Sequence, residues 1–285
     1  MQVDIAKRVS HGIQFHGAYT WGKSIDTLSA TEADDAFPNG LFNQLFFDQR
    51  TTRGLSDFNV AQALVLSFTW EVPGPANGSK LPQWALSGWQ LVGLYKASTG
   101  QPFTPILGGD PLGTNLDETG EVPSYTPGCN LIDKNFKKNP NGPIYINPKC
   151  FILPQATPDI ASQCQPFGFV AANNAVTPPI VGNPGIPGTC ANLRGNLGRN
   201  VLIGPGLSKL DFSVFKNNHI KRISENFNAQ FRAELFNILN RPNFSSPTDN
   251  LAVFDQKGQP IQSAGLLTST QTTSRQIQFA LKLIW

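Results

Sequence analysis

The carboxy-terminal residues alternate between apolar and polar positions. In RQIQFALKLIW, the apolar positions are Ile277, Phe279, Leu281, Leu283 and Trp285. The positions between them include Gln276, Gln278 and Lys282. A period of two is typical of a β-strand with one apolar and one polar face. The segment therefore predicts a strand that continues to the last residue.

The same alternation recurs upstream and predicts seven strands in total. The predicted strands span residues 2–9, 13–24, 59–71, 88–99, 207–217, 225–239 and 275–285. The segment 225–239 is ambiguous, because Phe227, Phe231, Leu235 and Leu239 also recur every four residues, as on a helix. The same phenylalanines alternate with polar residues, which fits a strand equally well.

Short and long connectors alternate without exception between these predicted strands. The long connectors cover about residues 25–58, 100–206 and 240–274. Strands of a membrane β-barrel run up and down, with short turns on one side and long loops on the other. If 225–239 were a helix, the last strand would start from the side of the short turns although it follows a long connector. The alternation therefore favours a strand at 225–239. The predicted fold is all-β: an antiparallel, up-and-down transmembrane β-barrel, partial at about seven strands, with long extracellular loops.

Three features favour a membrane barrel over a soluble β-sandwich, which shows the same alternation. The predicted strands cover the about 9–11 residues that cross a bilayer at a tilt. Aromatic residues cluster at strand ends, as in interfacial girdles: Tyr19, Trp21, Trp70, Trp89 and Trp285. The opposite face carries polar residues such as Arg232 and Glu234, which a dry core would not accept without partners. A secreted soluble β-sandwich with a binding or adhesion role stays the alternative.

Charge and composition exclude other classes of protein. The net charge of +3 is too small for a nucleic-acid-binding surface. Charged residues make up 14% of the chain, well below the roughly 25% usual in soluble domains. No apolar run reaches the about 18 residues of a membrane helix, and the start, MQVDIAKRVSHG, lacks the apolar region of a secretory signal. An exported barrel without a signal implies that Met1 is not the true start and that the chain is part of something longer.

The last strand resembles the carboxy-terminal recognition signal of bacterial outer-membrane proteins. The matching positions are Gln278, Ala280, Leu281, Leu283 and Trp285. Ala280 stands where glycine is usual. The resemblance implies a location in the cell outer membrane of a Gram-negative type bacterium. It also implies two partners, outer-membrane lipid and the barrel assembly machinery that reads this signal.

A longer stretch resembles the late barrel strands of TonB-dependent outer-membrane receptors. It runs from Asn196 to Phe244 and includes NLGRNVLIGPGLSKLDFSVFKNNH; YTWGKSID and GWQLVGLYKASTGQPFTP are similar to the same family further upstream. The similarity is closest to the Oar-like, carboxypeptidase-regulatory-domain group abundant in acidobacteria. It implies a barrel of about 22 strands closed by an amino-terminal plug. This chain would be its carboxy-terminal third, without plug or signal peptide.

The family resemblance also implies a function. A receptor of this kind binds a substrate, such as a small molecule or glycan, at the cell surface and imports it. The energy comes from the TonB complex, which would contact the missing amino-terminal part. The Oar-like group is linked to surface adhesion as well, so adhesion is a second implied role.

All four cysteines lie in the 100–206 connector, which is rich in proline and glycine and has no clear period. Cys129, Cys150, Cys164 and Cys190 allow three disulfide pairings. The sequential pairing closes the shortest loops and is preferred, each bond contributing on the order of 3 kcal/mol. A metal site is disfavoured, because the connector has no C-x-x-C pair and no histidine. Disulfides fit an oxidising, exported location.

The sequence gives little support for catalytic or ligand-binding residues. The three histidines are His11, His16 and His219. They show no arrangement for a shared ligand or triad, so we expect no enzyme, cofactor or metal. The aromatic candidates for stacking on a ligand are Phe42, Phe46, Phe47 and Tyr125. Packing between loops is the stronger interpretation for these residues, and the ligand site is expected only in general terms on the long connectors.

Overall fold

The fold is built on a single antiparallel β-sheet, seen in a computed structural model that describes residues 1–10, 12–29, 49–74, 83–112, 121–220, 222–224 and 226–285. The seven long strands are β1 (Gln2–Ser10), β2 (Ile13–Trp21), β3 (Gln62–Glu71), β4 (Trp89–Ser98), β5 (Leu207–His219), β6 (Asn228–Phe236) and β7 (Gln276–Ile284). They lie side by side in chain order. The sheet is open, because among the described residues β1 pairs only with β2 and β7 only with β6. The prediction of seven antiparallel strands is confirmed, including a strand at the ambiguous segment.

The strand register places the apolar positions of all seven strands on one face. Residues directly opposite one another share a face; for example, Phe15 opposes Phe68, which opposes Gly93, which opposes Phe212. A slip of one residue would turn a whole strand over. The apolar face comprises Val3, Ile5, Ile13, Phe15, Tyr19, Trp21, Leu64, Leu66, Phe68, Trp70, Trp89, Leu91, Tyr95, Leu210, Phe212, Val214, Phe231, Leu235, Ile277, Phe279, Leu281 and Leu283.

The opposite, polar face carries side chains that bond to one another. Asn217 Oδ1 accepts hydrogen bonds from Asn228 Nδ2 at 3.0 Å and from Gln230 Nε2 at 2.8 Å. Arg232 Nε donates to Gln230 Oε1 at 2.6 Å, and the Arg232 guanidinium lies 5.1 Å from the centroid of the Phe215 ring. Several polar groups on β5 and β6 therefore find partners within their own face.

The three long connectors leave the sheet at the same end. Trp21 opposes Gln62 at this end, and Phe236 opposes Gln276. The long connectors span residues 22–61, 99–206 and 237–275, and the short ones at the other end span residues 11–12, 72–88 and 220–227. The alternation of short and long connectors predicted from the sequence is present in the fold.

Three predicted strands, 13–24, 59–71 and 225–239, extend beyond the observed strands by up to three residues at an end, and the observed strand in 59–71 begins only at Gln62. The prediction 13–24 is wrong beyond Trp21, because Gly22 makes the last backbone bond, to Ala61 O at 3.0 Å, before the chain leaves the sheet. The prediction 225–239 is wrong beyond Phe236, because Asn237 turns into the left-handed region with φ of 49°. Asparagine accepts this conformation more readily than most residues. Its N–H donates to Asp211 Oδ1 at 2.8 Å, which ends the strand.

The long connectors fold together into a cap with its own hydrophobic core. We define the cap as the described residues 22–29, 49–61, 99–112, 121–206 and 237–275. Its buried core consists of Phe103, Leu107, Val122, Tyr145, Ile146, Cys150, Phe151, Leu153, Phe167, Leu197, Leu202, Leu251, Val253, Phe254, Ala264 and Leu267. These residues come from the second and third long connectors only. The 100–206 connector, without any period in its sequence, is therefore folded around a core that it shares with the 237–275 connector.

Short pieces of secondary structure shape the cap. The paired short strands are Ile25–Asp26 with Gly54–Leu55, Pro102–Phe103 with Leu202–Ile203, Ser124–Tyr125 with Phe151–Ile152 and, in parallel, Ile106–Leu107 with Ala252–Phe254. The 3₁₀ turns are Gln49–Thr51, Phe136–Lys138, Pro148–Cys150 and Ala161–Gln163. One turn of α-helix, Gln83–Leu86, lies in the connector after β3. Within the described residues, no helix has the length and apolar character needed to cross a membrane.

The packing of Phe68 over Gly93 gives a first prediction. A Cβ atom on Gly93 would overlap the Phe68 ring, whereas a Cβ on Gly22 would meet nothing within 4 Å. We therefore expect Gly93→Ala to destabilise the sheet by about 1–3 kcal/mol through overpacking, and the matched Gly22→Ala variant to change stability little. Urea unfolding in detergent micelles, followed by tryptophan fluorescence, measures both. Equal midpoints for the two variants would contradict the packing, and Phe68→Leu should partly restore Gly93→Ala.

Candidate functional site

The apolar face of the sheet is uncovered. Phe279 and Leu281 are each 68% exposed, Ile5 is 61% exposed and Phe231 is 42% exposed. None of the apolar-face residues belongs to the buried core, which lies in the cap. A soluble sandwich would pack this face against a second sheet, so the alternative of a soluble β-sandwich does not describe this fold. A contiguous apolar surface of this size needs a nonaqueous neighbour.

Aromatic residues mark both ends of the apolar face. Trp21 lies at the cap end, whereas Trp70, Trp89 and Trp285 lie at the short-connector end. Because Ile13 opposes Trp70, the two levels are separated by roughly 26 Å along β2, at about 3.3 Å per residue. This separation is on the scale of the about 25 Å apolar band that aromatic girdles flank in membrane barrels. The apolar face thus has the height and the borders of a lipid-facing surface.

A buried arginine connects the first two long connectors of the cap. Arg199 is 3% exposed. Its Nη1 lies 2.6 Å from Asp26 Oδ1, and its Nη2 lies 3.0 Å from Asp57 Oδ1. Both carboxylates come from the connector between β2 and β3, which is distant in sequence. A buried cation with two carboxylates is expensive to break, because removing one partner leaves charge without compensation in a poorly solvated place.

Asn200, the next residue, extends this connection to a third segment. It adopts φ of 57°, and its N–H donates to Thr104 Oγ1 at 2.8 Å. Its Nδ2 donates to Leu55 O at 2.6 Å. The pair Arg199 and Asn200 therefore holds together four stretches of the cap that share no local sequence signal.

Asp26 is the partly exposed member of this cluster. Burial raises the pKa of Asp26, but hydrogen bonds with Arg199, Ser29 and Ser56, together with the positive charge of Arg199, outweigh it and lower the pKa below its ordinary value. Asp26 is therefore charged at neutral pH, and its charge stabilises the cap.

Two disulfides stabilise the second long connector. Cys129 is bonded to Cys150 and Cys164 to Cys190, with Cα–Cα distances of 5.6 Å and 4.8 Å. These are the pairs of the sequential connectivity. Cys150 is fully buried in the cap core, so the first bond ties the segment 129–150 to that core.

The cap carries a groove of about 860 Å³ beside this disulfide. Amides dominate its polar lining: Asn130, Asn135, Asn139, Asn141, Asn147 and Gln262. Its charged residues are Asp133, Lys134 and Lys149, and its apolar residues include Ile144, Ile146, Phe151 and Phe254. The volume lies within the about 300–1,000 Å³ of small-molecule sites. The groove therefore has the size and the polar lining of a small-molecule site.

The residues of the predicted assembly signal lie on β7, at the open edge of the sheet. Gln278 and Ala280 belong to the polar face, and Leu281 and Leu283 to the apolar face. Trp285 follows the strand and is 82% exposed. The strand is therefore accessible along one edge, and its recognition by assembly machinery stays a prediction.

The other predicted residues do not gather into one site. His16 Nε2 lies 3.0 Å from Asp4 Oδ2 on the polar face, and His219 lies at the opposite end of the sheet from the cap. Tyr125 packs against the cap core, as the loop-packing interpretation expects. His11, Phe42, Phe46 and Phe47 lie outside the described residues. Within the described part of the chain, no group of three or more His, Cys, Asp or Glu residues has a geometry for a metal ion.

The sheet, its exposed apolar face and its aromatic borders define a membrane-spanning β-protein. A family model described as an outer membrane beta barrel domain matches residues 1–278. The chain belongs to this family of outer-membrane β-barrel domains, and its location is the cell outer membrane. Comparison with curated proteins and with solved structures gave no match.

Sequence reasoning assigned no role to the Arg199 cluster or to the groove. Arg199 and Asp26 are separated by 173 positions along the chain, so no local pattern connects them. The available signal for Arg199 was a single arginine between glycine and asparagine in a stretch that is poor in charge. The signal for the groove was the concentration of asparagine and lysine in NLIDKNFKKNPNGPIYINPK, which begins at Asn130.

The buried ion pairs give a second prediction. Arg199→Leu removes the buried cation that contacts both Asp26 and Asp57, so we expect the cap to lose about 3–5 kcal/mol. The matched control is Arg53→Leu, which removes an exposed arginine of the same cap and should change stability by about 0.5 kcal/mol or less. Limited proteolysis of the cap in increasing urea measures both. Equal protease resistance of the two variants would contradict the role of Arg199.

The lowered pKa of Asp26 gives a third prediction. A carboxyl whose pKa is lower in the folded than in the unfolded state stabilises the fold above its unfolded pKa of about 3.9. That contribution is lost as the pH falls through the folded value. We expect the urea midpoint of the cap to fall more steeply below about pH 4 in the wild type than in Asp26→Asn, which should already be less stable at pH 7. Parallel pH curves for the two proteins would contradict this.

Proposed function

We propose that the chain is the carboxy-terminal part of a TonB-dependent receptor of the Oar-like group, and that it binds a substrate at the cell surface for import. The single observation that supports this best is the cap. Three long connectors from one end of a membrane sheet fold into one body that carries a groove of ligand size. The sequence resemblance over Asn196 to Phe244 supports the receptor family.

The orientation of the sheet follows from its connectors. In outer-membrane barrels the long loops face outward and the short turns face the periplasm. The cap is then extracellular, and the connectors 11–12, 72–88 and 220–227 are periplasmic. The apolar face contacts outer-membrane lipid, and the polar face, with its Asn217, Gln230 and Arg232 network, borders a hydrated interior.

Two protein partners belong to the proposal. The barrel assembly machinery would recognise β7, whose free edge and exposed Trp285 suit addition to another strand. The TonB complex would act through sequence that precedes this part. We infer a binding and transport role rather than a catalytic one.

Surface adhesion is the second candidate function, and one feature of the cap favours it. A hairpin protrudes from the second long connector, with paired bonds between Val170 and Asn183 and between Asn173 and Ile180. It exposes apolar side chains, including Val181 at 87% and Ile180 at 44%. Such residues suit contact with another surface better than contact with water.

The orientation is tested by labelling introduced cysteines in intact cells. Val181→Cys, on the cap, should react with a membrane-impermeant maleimide in intact cells. Ile223→Cys, in a short connector, is also exposed, at 63%, and should react only after the outer membrane is permeabilised. The four natural cysteines are disulfide-bonded and give little background. Labelling of Ile223→Cys but not Val181→Cys in intact cells would overturn the proposed orientation.

The transport role is tested separately from binding. A strain without the TonB complex should retain ligand binding at the cell surface but lose ligand uptake. Adhesion without uptake in the complete strain would favour the second candidate instead.

A further inference from the structure

The amides of the cap groove form an uncommitted hydrogen-bonding surface. Two Asx turns shape the backbone beside these amides. Asp133 Oδ1 accepts a hydrogen bond from the Asn135 N–H at 2.8 Å, and Asn139 Oδ1 accepts one from the Asn141 N–H at 3.0 Å. Within the described residues, the side-chain amides of Asn130, Asn135, Asn141 and Asn147 make no hydrogen bond. Each amide offers donors and an acceptor side by side. A hydroxyl group is also both donor and acceptor, so a polyhydroxylated ligand matches this lining.

The charge of the groove is positive. Lys134 and Lys149 are exposed lining residues, and the described residues give neither an ion pair. Asp133 is the one lining carboxylate, and one of its oxygens already accepts the Asn135 bond. The lining therefore favours a ligand that carries carboxylate or sulfate groups, each of which would form charge-assisted hydrogen bonds with a lysine.

Apolar residues lie among the amides of the groove. Ile144 is 7% exposed, Ile146 1%, Phe151 3% and Phe254 8%, whereas Ile132 and Pro148 are half-buried and Pro260 is exposed. Apolar surface beside amides suits a sugar ring, which presents C–H groups and hydroxyls side by side, and this favours a glycan over an acidic peptide.

The groove is held in shape before any ligand arrives. The Asp133 N–H donates to Tyr145 O at 2.9 Å, and the Asn147 N–H donates to Leu131 O at 2.8 Å. The Cys129–Cys150 bond closes this segment at its base. A rigid site loses less entropy on binding than a flexible one.

We propose that this groove binds an anionic oligosaccharide, with Lys134 and Lys149 holding its acidic groups and the asparagine amides holding its hydroxyls. The inference rests on the proposed function, which places the cap at the cell surface. It adds the chemical class of the substrate. Two sources present this chemistry there: free acidic polysaccharide, and the sugar part of the membrane's own lipopolysaccharide.

The test measures binding of defined probes to the full chain in detergent micelles. The probes are hexagalacturonate, the neutral maltohexaose, a hexaglutamate peptide and purified lipopolysaccharide. We expect hexagalacturonate to bind, and Lys134→Gln/Lys149→Gln to weaken that binding about tenfold or more. Lys257→Gln, which removes an exposed lysine elsewhere on the cap, is the matched control and should bind as the wild type does. Asn130→Ala/Asn141→Ala should also weaken binding, with the protease resistance of the cap unchanged.

Each outcome decides for or against the inference. Lipopolysaccharide binding with the same lysine dependence, without hexagalacturonate binding, supports the ligand class and identifies the membrane as its source. If hexaglutamate binds as tightly as hexagalacturonate, the inferred ligand class is overturned in favour of an acidic peptide. If the lysine variant and its control bind equally, the inferred site is overturned. If Val181→Cys labels from outside while no glycan binds, the ligand inference fails and the proposed orientation stands.

Discussion

Lipid tails cannot hydrogen-bond a peptide group, and this constraint governs the arrangement of the sheet. Every N–H and C=O group at membrane depth has to find its partner on a neighbouring strand. Continuous antiparallel pairing meets this demand between β1 and β7. Among the described residues, the outer edges of these two strands are unpaired. The same pairing fixes which side chains face outward, because a slip of one residue would present polar groups to lipid. Among the described residues of the sheet, the one shift in strand register lies between Lys7 and Ser10, close to the short-connector end of β1.

In the cap, large apolar side chains are buried, whereas on the sheet of the same chain they are exposed. On the sheet, large apolar side chains such as Phe279 stay exposed, whereas in the cap Phe103 and Phe167 are fully buried. Water surrounds the cap, so burial of apolar area contributes to its stability as in any soluble domain. Its short strands supply few ladder hydrogen bonds. Disulfides and the Arg199 ion pairs therefore hold distant segments of the cap together, and the Cys129–Cys150 bond lies beside the groove.

The sheet could be predicted from the sequence because its signal is local. A period of two within each strand identified all seven, and the alternation of connector lengths decided the segment around Phe231, which periodicity alone left open. The ends of β2 and β6 were less certain, since they depend on partners such as Asp211 that lie elsewhere in the chain. The cap core, the Arg199 cluster and the groove were not predicted at all. Their short strands of two or three residues have no period, and their contacts join residues that are distant in sequence.

The direction of the two edge strands has a consequence for closure. Both β1 and β7 start at the cap end of the sheet and finish at the other end, so they point the same way. Joining them directly, or joining the sheets of two copies edge to edge in one membrane, would create a parallel seam. A ring in which all neighbours are antiparallel has an even count of strands. A set of strands that closed this seven-stranded sheet with antiparallel pairing at every seam would therefore be odd in number.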